Sequence, residues 1–155
     1  MRTFKSTALL LSFLMLFSSV ASASGSKNLK TLKKEQHVTL DVNQFGKYLH
    51  DGEPDSLEGI YKSRDGRYLI ALIKNDEKGH DFLGVVVSAD NPYWKEGQVK
   101  FNFVRNNDSA LEGYIYNSQG IAFPISFEIG NSTIKSRHLK KLKLKDVPNG
   151  SLASL

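Results

Sequence analysis

The stretch Ile121-Ala122-Phe123-Pro124-Ile125-Ser126-Phe127-Glu128-Ile129 decides the fold. Its odd-numbered positions are all large and apolar, while the even ones carry Ala, Pro, Ser and Glu. A period of two sends successive side chains to opposite faces of a strand, so this segment has one apolar face and one wet face. Pro124 has no N–H to give a ladder, which places it at an edge, a bulge or a barrel seam. Val99, Phe101 and Phe103 form a similar stripe, expected to face inward, with Lys100 and Asn102 outward.

On either side of this stretch the chain is a series of strand-sized runs divided by turn residues. Residues 58–63 are closed by Asp65-Gly66, a hairpin signal. Residues 67–74, 82–88, 98–105 and 111–117 follow at about ten-residue spacing, and 133–138 and 141–145 are weaker candidates. Residues 38–42 also alternate and are expected as a first strand. Residues 43–50 read as one or two helical turns, with Phe45 and Leu49 four apart on one face. The pattern predicts an all-β protein, an antiparallel meander of about eight strands with one short N-terminal helix. Such a meander forms a small barrel or a flattened barrel or sandwich. Residues 68–73 and 83–87 are apolar on both faces, so both sides need cover. The short helix, a second sheet, a partner subunit or a ligand would each serve.

The first 23 residues read as an export signal. Arg2 and Lys5 form a basic head, an apolar run extends over 8–20, and Ala21-Ser22-Ala23 has the small-x-small form that signal peptidase accepts. The run is short of the roughly 20 residues a spanning helix needs, so a membrane anchor is the weaker reading. Cleavage after Ala23 leaves 132 residues, expected to be secreted or periplasmic. The expected organisation is a signal peptide at 1–23, a flexible basic leader at 24–36, a single β-domain at 37–147 and a C-terminal tail at 148–155. The chain has no cysteine, which excludes disulfides and a lipid-modified cysteine. A cysteine-free exported chain suits a bacterial envelope better than an animal secretory pathway.

Charge is uneven. The formal net charge is +5, yet residues 35–134 hold nine basic and fifteen acidic residues. The basic excess lies in Lys27, Lys30, Lys33 and Lys34 at one end and in six lysines and arginines after residue 134 at the other. An acidic body repels a phosphate backbone, so nucleic acid is not an expected partner.

At Ser56-Leu57-Glu58-Gly59-Ile60-Tyr61 the chain resembles the opening of a lipocalin-like barrel, where a helical turn leads into a Gly-x-aromatic step. The 68–74 strand, Gly84-Val85-Val86 and the stretch 93–100 extend the likeness over roughly residues 55–129. It is similar to small exported bacterial β-domains of the calycin type, some attached to trypsin-like peptidases as non-catalytic modules. The resemblance implies a barrel and a habit of binding small apolar molecules. Lipocalins carry tryptophan where Tyr61 stands, a late-strand arginine covering it, and a long helix after the barrel. Arg105 and Arg137 are the late candidates here, and the long helix is missing.

Motifs for other chemistry are sparse. His37, His50, His80 and His138 lie far apart without metal-ligand spacing. Asp76, Glu77, His80 and Asp81 share a loop but lack the Asp-x-Asp-x-Asp-Gly order of a calcium loop. No Gly-x-Ser-x-Gly elbow is present. The expectation is a non-catalytic exported domain without cofactor or metal, binding a small apolar ligand or an envelope protein. Tyr61, Ile70, Phe101, Phe103, Phe123 and Phe127 are the candidate barrel-interior residues. The alternative is a filled barrel acting as an accessory module through exposed Trp94, Tyr114 and Tyr116; an envelope enzyme of unknown type is third.

Overall fold

A computed structural model describes residues 30–32, 36–77 and 79–147. The expected signal peptide, most of the leader and the C-terminal tail lie outside the described residues. Eight antiparallel strands form one nearly closed, barrel-like sheet: β1 (Gly59–Ser63), β2 (Tyr68–Glu77), β3 (His80–Ala89), β4 (Val99–Asn107), β5 (Ala110–Tyr116), β6 (Ala122–Gly130), β7 (Thr133–Lys135) and β8 (Leu139–Lys141). Their order is β7-β6-β5-β4-β3-β2-β1-β8, so each strand up to β7 pairs with its chain neighbour and β8 returns to β1. Strands β7 and β8 touch without a ladder between them.

That seam follows from the shortness of β7, which pairs only with Glu128, Ile129 and Gly130. Among the described residues no strand lies on the far side of β6 over 122–127. Pro124 sits opposite Tyr114 in the β5–β6 ladder. The amides of Asn117 and Ile129 bond across that ladder to Ile121 and Ser109. Alternation of bonded and non-bonded pairs then turns the Pro124 nitrogen toward the unpaired edge, where the missing N–H costs nothing.

The interior is filled at one end of the barrel. Leu57, Tyr61, Leu72, Phe82, Phe103, Leu111 and Ile134 are all buried there in one cluster. The Tyr61 hydroxyl donates to the Leu57 carbonyl at 2.9 Å. Arg105 lies 5.1 Å from the centre of the Phe82 ring and bonds Asp55 through both terminal nitrogens, at 3.2 and 2.7 Å. Burial pushes the Asp55 carboxyl up, but the Arg105 guanidinium and the Leu57 N–H outweigh it and hold it below the ordinary value. Opposite Phe103, Gly113 leaves room for that side chain and for the Asn102 carbonyl, which a Cβ would strike.

The cover needed by the doubly apolar strands comes from two pieces of the chain itself. Helix α1 (Val42–Asp51) begins at Asp41, whose carboxylate accepts from the Asn43 and Gln44 amides at 3.0 Å each. Phe45 and Leu49 share its inner face and pack on Ile60, Leu69, Ala71 and Val87 of β1–β3. The buried Glu58 carboxylate ties helix to sheet, accepting from the Tyr48 hydroxyl and the Asp55 and Lys74 amides. The second cover is the extended segment before α1. Residues 38–42 do not form the expected strand; a single bridge joins His37 to Gln98. Val38 and Leu40 still bury their alternating face, on Leu83, Val85 and Val99.

Part of the stretch expected as leader also lies on the sheet. Leu32 packs on the same cluster and its amide donates to the Tyr116 hydroxyl at 2.8 Å. Asn102, wholly buried, donates to the Lys30 carbonyl at 2.8 Å and to His80 Nδ1 at 2.9 Å, and accepts from the Tyr116 hydroxyl at 2.7 Å.

Candidate functional site

The residues that shape the site are set by a β-bulge at the start of β4. Gly84 stands opposite Phe101, and the next pair is Val85 with Val99, so Lys100 is an extra residue on β4. A bulge breaks the alternation of faces and re-aims the side chain it carries. Val99 therefore turns outward to Leu83 and Val85, and Lys100 joins Phe101 on the inner side. This corrects the expected stripe, in which Val99 faced inward and Lys100 outward. Gly84 accommodates the arrangement, since a Cβ there would come within 2.8 Å of the Phe101 ring.

Inside the bulge lies a cavity of about 380 Å³, open to solvent. Its walls are Tyr68, Ile70, Phe101, Ile115, Ile125 and Phe127. Ser63, Arg64 and Asp65 from the β1–β2 turn, with His138, Leu139 and Lys100, complete its lining. It lies against the seam, with Ile125 and Phe127 of β6 on one side and Leu139 of β8 on the other. Among the described residues no strand pairs with the far side of β6 there, which leaves the space open along the seam.

The Lys100 ammonium sits 3.9 Å from the centre of the Trp94 ring and 4.7 Å from that of Tyr68. Cation–π attraction to both rings holds it in place. Burial pulls its pKa down from 10.5 to about 8. Asp65, the one carboxylate among the described lining residues, is already engaged: it accepts from the Ser63 hydroxyl at 2.5 Å and the Arg67 amide at 3.2 Å, and faces the Arg67 side chain at 3.8 Å.

The interior candidates divide by position. Ile70, Phe101 and Phe127 line the cavity, whereas Tyr61 and Phe103 fill the closed end. Phe123 does neither; it pairs with Ile115 where no described strand lies on the far side of β6, and 49 % of its surface is exposed. Of the expected surface trio, one member is buried and two are half-buried. Tyr116 is 4 % exposed, covered by residues 30–32, and Trp94 is half-buried against Lys100. Tyr114 is half-buried beside Pro124. The late arginine Arg105 caps Phe82 at the closed end. Of the loop group Asp76, Glu77, His80 and Asp81, His80 is turned away into the Asn102 network.

Sequence reasoning missed Lys100, because a bulge has no fixed letter pattern. It also missed Arg64, Asp65 and His138, which lie in turns and join the site only when the barrel curls. Fold and cavity together define a meander barrel, packed at one end and hollow at the other. No family model, curated protein or solved structure matches the chain. No helix among the described residues is long and apolar enough to cross a membrane.

Proposed function

We propose that this chain is an exported, non-catalytic barrel that holds a small, mostly apolar molecule in the hollow end of its interior. The observation that carries this is the cavity of about 380 Å³, which falls within the roughly 300–1,000 Å³ typical of small-molecule sites. Eight strands suit it, since a barrel of that size has room for side chains or for one small ligand. Six apolar or aromatic side chains form its walls, and burying a ligand against them is the driving force. The reading of 1–23 as an export signal and the lipocalin-like character of 55–129 support the same conclusion. The accessory-module alternative needs exposed aromatics, and Tyr116 and Trp94 are engaged within the protein.

Titration with N-phenylnaphthylamine, an uncharged probe that brightens in apolar surroundings, tests the proposal. The expected result is saturable one-site binding with a dissociation constant on the order of micromolar. Ile125→Trp, which fills the space from the β6 wall, is expected to abolish the signal while the melting temperature stays level or rises. No brightening with the unmodified protein would contradict the proposal.

A further inference from the structure

We propose that Lys100 makes the cavity selective for molecules with an apolar tail that ends in a single anionic group, a carboxylate or a phosphate monoester. The inference rests on the ligand-binding reading above and names its chemical class. The charged end of the ligand meets Lys100, and its tail runs along Ile70 and Phe127.

The bulge is the first support. Regular pairing would leave Lys100 on the outer face, and the extra residue brings it in beside Phe101. The second is that no carboxylate among the described residues pairs with the ammonium. Among the described residues the Lys100 ammonium makes neither a hydrogen bond nor an ion pair, and it sits over the Trp94 and Tyr68 rings. A partly buried cation without an anion carries an uncompensated desolvation cost, which an arriving anion relieves. The lowered pKa of the group agrees with that missing partner.

The third support is the local charge balance. Arg64 lies in the lining with Lys100, and the single carboxylate among the described lining residues, Asp65, is bonded to Ser63 and Arg67 and faces the Arg67 side chain. The lining is therefore net positive around an apolar hollow, although residues 35–134 as a whole are net acidic. A neutral hydrocarbon would gain nothing from this arrangement. An amphiphile with one negative end matches both parts of it.

Displacement of bound N-phenylnaphthylamine by decanoate, decyl phosphate and decanol at neutral pH tests the inference. The anions are expected to compete about tenfold more tightly than the alcohol, as one charge-assisted contact implies; their ranking separates carboxylate from phosphate. In Lys100→Met, with the probe affinity of each variant measured first, the anions should lose their advantage over the alcohol, whereas in Lys100→Arg they should keep it. Equal competition by all three compounds, or a preference that survives in Lys100→Met, overturns the role of Lys100 while leaving the cavity reading intact. Absence of probe binding in the unmodified protein defeats the cavity reading first.

Discussion

Phe103→Ala is expected to remove about 3–5 kcal/mol of folding stability, the usual cost of deleting a buried phenylalanine. The ring is 1 % exposed, stacked on Phe101 at 5.8 Å and set edge-on to Phe127 at 5.6 Å. It joins the packed end of the barrel to the wall of the cavity, with Gly113 opposite it in the β4–β5 ladder. Neighbouring strands hold the backbone on both sides, so the void left by the ring closes only in part. Small proteins have about 5–15 kcal/mol in total, so the variant should be near the edge of folding. Urea denaturation at neutral pH measures the difference. A loss under about 1 kcal/mol would mean the closed end is not packed as described.

The second large effect is expected at Asn102, the centre of the polar network under residues 30–32. Asn102→Ala leaves the His80 ring nitrogen, the Lys30 carbonyl and the Tyr116 hydroxyl each without a partner they now have. Such losses in a covered site cost about 1–3 kcal/mol per group, less whatever water recovers, so about 2–4 kcal/mol is expected. The same bond sets a pH dependence. Asn102 Nδ2 donates to His80 Nδ1, so that nitrogen must be unprotonated, and burial lowers the His80 pKa below 6.5. A base with a depressed folded pKa contributes no penalty above its unfolded value. As pH falls below 6.5 the unfolded chain takes up the proton first, and stability drops until the folded pKa is passed. His80→Gln, whose amide oxygen can accept the same bond, should flatten this slope. Amide exchange at Leu32 reports the network directly: Asn102→Ala should speed it. Unchanged exchange and a loss below about 1 kcal/mol would show that the network does not hold residues 30–32.

The β-rich architecture was legible because strand pairing follows a strict period. The runs around Phe82, Phe101, Leu111 and Ile125 all became strands, and Phe45 with Leu49 fixed the inner face of α1. Alternation at Val38 and Leu40 also reported burial correctly, but a buried alternating segment needs a ladder to be a strand, and only His37 finds one. Parity failed at one place. From Val99 to Phe103 the letters allow an unbroken stripe, yet the bulge at Lys100 shifts the face of everything before it. The burial of Tyr116 was hidden for a different reason: its cover comes from Leu32, eighty-four residues away, and no local pattern records such a contact. The gap beside β6 was half visible, since Pro124 marked an edge without saying that the cavity would lie next to it.

Entry of a small molecule into the hollow end of this barrel would leave its mark on the methyl groups that line it. Isotope-filtered NOE spectra of methyl-labelled protein with bound N-phenylnaphthylamine test it most directly. Contacts are expected from the probe to Ile70, Ile115 and Ile125, and none to Leu40, Leu49 or Leu142 in the layers outside the sheet. Contacts confined to those outer leucines, with the three isoleucines silent, would contradict it.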